Sequence, residues 1–128
     1  MDPIEISAAL KLEPFRMWRA GDPRTTPKNT PLEGTWRDTY WTADVFKDKC
    51  PDRTLAAAIF GLAERFSPSK SFFAKICSEG GRVEFYVGWF IDGNRGDVFD
   101  TILLAKLADL GVDLSLDIYP PPNPQDKY

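Results

Sequence analysis

The stretch RVEFYVGWFID, residues 82 to 92, decides the fold, because it alternates without a break. Val83, Phe85, Val87, Trp89 and Ile91 fall on one side and Glu84, Tyr86, Gly88 and Phe90 on the other. A period of two is the signature of a strand with one face in a core. The length of the run predicts a central strand. DGNRG then turns the chain, and residues 98 to 110 place Phe99, Leu103, Leu107 and Leu110 at helical spacing. Asp97 with Asp100 three residues on predicts a capping-box-like start, and Gly111 the stop. VDLSLDIY, residues 112 to 119, alternates again: Leu114, Leu116 and Ile118 predict the core side, while Ser115, Asp117 and Tyr119 share the opposite face. Three prolines end this last strand, since proline cannot extend a ladder.

Working outward, TLAAAIFGLAERF (54 to 66) sets Leu55, Ile59, Leu62 and Phe66 on one stripe and predicts a helix. SPSKSFFAKICSEGG (67 to 81) restarts helically, with Ser69 as cap, Phe72, Phe73, Ile76 and Cys77 inward, and Gly80 and Gly81 as the stop. At the other end, Asp2, Pro3 and Glu5 predict a capped helix from the first residues, ended by Pro14. FRMWRAG (15 to 21) reads as a strand with Phe15 and Met17 inward and Arg16 and Trp18 outward. Residues 21 to 33 read as a Pro/Thr-rich loop, and GTWRDTYWT (34 to 42) as a second strand with Trp36 and Tyr40 on one face. The order predicts an α+β fold: a two-layer sandwich, mainly antiparallel, with helices packed on one face and a split βαβ-like layout. One domain over residues 1–119 and a proline-rich tail over 120–128 are expected.

The net charge of −3 argues against a surface that tracks a phosphate backbone. The start has no basic segment before an apolar run, and LAAAIFGLA is about half a membrane span, so a cytoplasmic protein without a membrane anchor is expected. With no histidine and two cysteines, Cys50 and Cys77, the chain lacks donors for a zinc site, and two reduced thiols are expected. No cofactor is implied. The missing histidine also removes the commonest general base, and Asp113 and Asp117 lie about 13 Å apart along one strand face, too far to act as a carboxylate pair. The expectation is therefore no catalysis.

DPIEISAALKLEPFRMWRAGDP, the isolated Trp36 and the closing LADLGVDLSLDIYP together resemble the bacterial family called domain of unknown function 4279. The resemblance covers both ends and the element order, about two thirds of the chain. It implies a fold rather than a reaction, and a partner-binding role such as toxin immunity follows from it by analogy alone. It also implies a strand ahead of the first helix that these residues do not supply. An unpaired edge, covered by pairing with a second chain, is the consequence.

If the apolar face of residues 82 to 92 meets the helices, Tyr86 and Phe90 face away from them, with Asp117 and Tyr119 beside them. Arg16 and Trp18 join that face if Phe15 and Met17 point inward. An aromatic patch with a few polar groups on a sheet is a partner or ligand surface unless the chain itself, through residues 21 to 33 or a second copy, covers it. A protein partner is the leading occupant and a homodimer the second. The alternative is a small molecule held between this face and residues 21 to 33. Single-stranded nucleic acid would stack on the same rings, but Glu84 and Asp117 oppose it. Arg16 and Arg19, with Arg24 and Arg37, form a further candidate as an anion site around RAGDPR. Oxygen donors in DGNRGD lack the spacing of a calcium loop and are read as turn and cap.

Overall fold

The computed structural model describes residues 1–45 and 54–121. They form four helices and six strands, an α+β fold, in two compact units on either side of the undescribed segment. Cys50 and the tail from residue 122 lie outside the described residues.

The first unit opens with helix α1 (Pro3–Leu10), where the Asp2 carboxylate accepts from the Ile4 N–H at 2.9 Å and Pro3 fills the first turn. This is the cap that the sequence predicts. The helix stops before Pro14, at Lys11, whose left-handed backbone (φ 54°) lets its N–H return to the Ser7 carbonyl. Strand β1 (Arg16–Trp18) pairs antiparallel with β4 (Tyr40–Thr42), setting Trp18 opposite Tyr40. Residues 21 to 33 are not a plain loop. They supply β2 (Pro23–Thr25) and the start of β3 (Pro31–Thr35), an antiparallel hairpin whose tip is closed by Thr26 and Asn29. Thr26 Oγ1 accepts from the Thr30 N–H, and Asn29 takes the positive φ of the turn, a local chemistry that short strands need and that a count of prolines hides. Residues 34 to 42 are correspondingly two strand ends with a bend between them, not one strand.

The expected polarity of β1 is reversed. Phe15 and Met17 are exposed, whereas Trp18 is half-buried against other rings. A three-residue strand is oriented by its largest side chain, and the indole has stacking partners that Phe15 lacks.

The second unit carries helices α2 (Leu55–Phe66), α3 (Lys70–Ser78) and α4 (Thr101–Leu110) and strands β5 (Glu84–Phe90) and β6 (Asp113–Tyr119). Its core is Ile59, Leu62, Ala63, Phe66, Phe73, Phe85, Leu103, Leu107, Leu110 and Val112, all but Ala63 and Val112 lying on the helical stripes and the strand face read from the sequence. Three phenyl rings meet in it, Phe66 lying 6.1 Å from Phe73 and 6.0 Å from Phe85. Lys70 and Asp109 join α3 to α4 at 2.7 Å, and Lys106 pairs with Glu64 across α2 and α4. Both pairs lie at the surface and add little beside the core.

Thr54 caps α2, accepting from the Ala57 N–H. The other caps differ in detail from the expected ones. The cap of α4 is Asp100, which accepts from Leu103 at 2.9 Å, not Asp97. Asp97 instead accepts from the backbone N–H of Ala56, at 2.9 Å, and of Val98, tying the connection before α4 to the first turn of α2. Those donors hold its carboxyl below the usual range. A side chain bridging two distant segments has no local signature. Ser69 makes no side-chain cap, because α3 continues directly from a 3-10 turn whose own carbonyls take the first N–H groups. Cys77, expected inward, is exposed in the last turn of α3, one helical turn beyond the buried Phe73.

β5 and β6 are parallel, in register from Glu84 opposite Asp113 to Phe90 opposite Tyr119, with α4 as the crossover. The strands are direct neighbours, so this is a plain βαβ unit rather than a split one, and it is parallel, whereas β1–β4 and β2–β3 are antiparallel. The reason is the connection: residues 91 to 112 include a ten-residue helix, long enough for a crossover, whereas hairpins use a few residues. The core side of β6 is only partly covered. Leu114 is half-buried, but Ile118 is 49% exposed. Helix α4 spans about 15 Å and the seven-residue strand about 23 Å, and α4 ends beside the start of β6, so the far end of the strand outruns its cover.

Candidate functional site

The face of β5–β6 turned away from Phe85, Val87 and Trp89 follows directly from the register. In a paired sheet, opposite residues point the same way, so Tyr86 and Ser115, Gly88 and Asp117, and Phe90 and Tyr119 share it. Phe90 and Tyr119 stack with ring centroids 4.7 Å apart and planes within 15°. Gly88 has no side chain to intervene, and the Tyr119 ring reaches to 3.5 Å of the position a Cβ would occupy there. The rings lie open: Tyr86 is 62%, Phe90 75% and Tyr119 40% exposed.

One carboxylate organises them. The Tyr86 hydroxyl donates to Asp117 Oδ2 at 2.5 Å and the Tyr119 hydroxyl donates to the same oxygen at 2.7 Å. Two phenols saturate that oxygen. Asp117 Oδ1 accepts no hydrogen bond among the described residues. The donated bonds, from Tyr86 first and Tyr119 second, hold the Asp117 carboxyl below its ordinary range. The same bond to Asp117, with the Tyr119 hydroxyl beside it, pushes the Tyr86 phenol well above its ordinary value. Further along the face Arg82 lies 3.5 Å from Glu84 and 3.7 Å from Asp113, so those two acids have a cation and Asp117 has none among the described residues.

These shifts set a pH window. Asp117 is lowered on folding, so its contribution to the arrangement is present above the ordinary carboxylate range and is lost as pH falls through the lower folded value. Tyr86 is raised, so its contribution is present below the ordinary phenol range and is lost at strongly alkaline pH. In a spectrophotometric titration of the phenolate band, one of the four tyrosines is expected to ionise last, and Tyr86→Phe to remove that final step. Disappearance of an earlier step instead would show that Asp117 does not hold the Tyr86 proton.

Of the residues predicted from sequence, Tyr86, Phe90, Asp117 and Tyr119 are brought together, while Arg16, Trp18 and Arg19 lie on or just after β1 in the first unit. There Trp18 is sandwiched between Trp36, at 3.8 Å and 11°, and Tyr40, at 4.4 Å and 20°. The Arg16 guanidinium sits 4.8 Å from the Trp18 ring and 5.6 Å from that of Trp36, and donates to the Thr25 carbonyl at 2.7 Å. Arg24 lies 5.5 Å from Trp36. Arg19 grips Asp2 through Nε at 2.9 Å and Nη2 at 3.1 Å, which lowers the Asp2 carboxyl. Three of the four arginines suggested as an anion site, Arg16, Arg19 and Arg24, are thus engaged with rings, carbonyls and a carboxylate of their own unit.

Sequence reasoning does not link Trp36, Tyr40 and Arg24 to Trp18. The signal it offers is the shared face of Trp36 and Tyr40, but only the register Trp18 opposite Tyr40 joins them. Among the described residues no group of histidine, cysteine, aspartate or glutamate is placed to hold a metal, and no helix is long and apolar enough to cross a membrane.

Neither a curated protein nor a solved structure matches the chain. A family model does match, over residues 1–121, and so takes in both units and both aromatic clusters. The chain belongs to the family described as Domain of unknown function (DUF4279).

Proposed function

We propose that this is a non-enzymatic binding protein that recognises a protein partner through the Tyr86, Phe90, Asp117 and Tyr119 face of β5–β6, in a cytoplasmic setting. Neutralising a toxin protein is one instance of that reading. The observation that carries it is the exposure of three aromatic rings on the uncovered side of a parallel strand pair. Parallel sheets are ordinarily covered on both faces, and exposed rings held by a shared carboxylate cost solvation unless something occupies them. Stacked and hydrogen-bonded rings also lose little entropy on binding, which suits them as anchors.

The test is a random-peptide display selection against the whole chain, with the Tyr86→Ser, Phe90→Ser double variant for counter-selection. Both side chains are largely exposed, so the double variant is expected to melt within a few degrees of the parent while losing the selected peptides. Loss of the fold would show instead that the rings are structural. A thermal-shift screen of cell metabolites separates the small-molecule alternative, because a ligand that binds only the native state raises the melting temperature. Stabilisation by one metabolite, abolished in the double variant, would overturn the protein-partner reading. Light scattering then reads self-association through the strand edges, neither of which is paired with a further strand among the described residues.

A further inference from the structure

The occupant of this face has a definite chemistry, given the binding role proposed above. We infer that the Tyr86, Phe90, Asp117 and Tyr119 surface receives an arginine side chain of the partner, its guanidinium stacked on the rings and donating to Asp117 Oδ1.

Three features converge on a planar cation. Aromatic faces attract positive charge, and here two phenols meet one carboxylate while Phe90 stacks on one of them. Asp117 Oδ2 already takes two phenols, so the lone pairs still available are those of Oδ1. Among the described residues of this face, Glu84 and Asp113 share Arg82, which leaves Asp117 as the acid without a cation. The charge complement of the surface is therefore a single cation placed over the rings. Arginine fits better than lysine because its guanidinium is flat, weakly hydrated and able to stack while donating in its own plane. The chain places an arginine beside aromatic rings elsewhere: the Arg16 guanidinium lies 4.8 Å from the Trp18 ring and 5.6 Å from that of Trp36 while donating to the Thr25 carbonyl. A second copy fits less well, since a two-fold contact across this face would bury two copies of the unneutralised Asp117 carboxylate in one interface.

The peptides from the selection above provide the test. Arginine is expected to recur in those whose capture needs Tyr86 and Phe90. Replacing that arginine with citrulline, neutral and of the same shape, is expected to weaken binding about 10-fold or more. Asp117→Asn in the protein is expected to weaken the arginine peptide by a similar factor and the citrulline peptide hardly at all. Added salt is expected to weaken the arginine peptide selectively. Peptides that need Tyr86 and Phe90 but carry no arginine, or bind Asp117→Asn equally well, would overturn the arginine inference and leave the binding face standing. Absence of any peptide that depends on Tyr86 and Phe90 would overturn both. The citrulline comparison uses unaltered protein, so it remains decisive if Asp117→Asn fails to fold. Dimerisation that is abolished by Tyr86→Ser with Phe90→Ser would name a second copy as the occupant and overturn the inference.

Discussion

Phe85→Ala is expected to destabilise the second unit by about 3–5 kcal/mol, the largest effect of any single truncation on β5. Phe85 is 7% exposed, and its ring lies 6.0 Å from that of Phe66, which in turn meets Phe73. Truncation removes a buried ring from a core built on α2, α3 and α4, which cannot all move in to fill the space. The cost is therefore transfer plus cavity. Folded domains have only about 5–15 kcal/mol in hand, so a substantial share is lost. Urea unfolding followed by Trp89, the single tryptophan of the chain beyond residue 50, is the measurement. Phe90→Ala provides the contrast on the same strand. It gives up a stacked pair with Tyr119 and little burial, and about 1 kcal/mol is expected. Equal effects at the two positions would mean that the outer face is covered.

In the first unit the corresponding residue is Trp18. Trp18→Ala is expected to cost about 3 kcal/mol, because it removes the middle ring of a three-ring stack and the ring that lies 4.8 Å from the Arg16 guanidinium. The unit has little else to compensate: Pro3 is its buried residue among those described. Two stacked indoles 3.8 Å apart also couple optically. An exciton signal in far-ultraviolet circular dichroism is therefore expected, absent in Trp18→Ala and in Trp36→Ala and retained in Trp41→Phe. Trp41 uses its indole N–H differently, donating to Ser7 Oγ at 2.9 Å. An unchanged signal in Trp18→Ala would refute the stack.

The contrast between Phe85 and Phe90 is legible in the sequence, because strict alternation over RVEFYVGWFID leaves each side chain one choice of face. The helices of the second unit are equally legible, since Ile59, Leu62 and Phe66, and Leu103, Leu107 and Leu110, repeat at helical spacing. In the first unit the strands have three to five residues, too few for a period to assert itself, and pattern misleads there. It inverts the polarity of β1, hides the β2–β3 hairpin in a proline-rich loop, and joins residues 34 to 42 into one strand. Arg19 is a candidate for anion binding by residue type, and only the structure shows its bidentate pairing with Asp2.

The α+β composition, the helical core stripes, the outward direction of Tyr86, Phe90, Asp117 and Tyr119, and the lack of histidine follow from local periodicity and residue type. The adjacency and parallel direction of β5 and β6 come from the folded chain, because pairing is a choice among strands distant in sequence. From that register come the stacking of Phe90 on Tyr119 and the meeting of two phenols at one oxygen of Asp117. A carboxylate between aromatic rings is a product of alignment across two strands, and no stretch of either strand contains it.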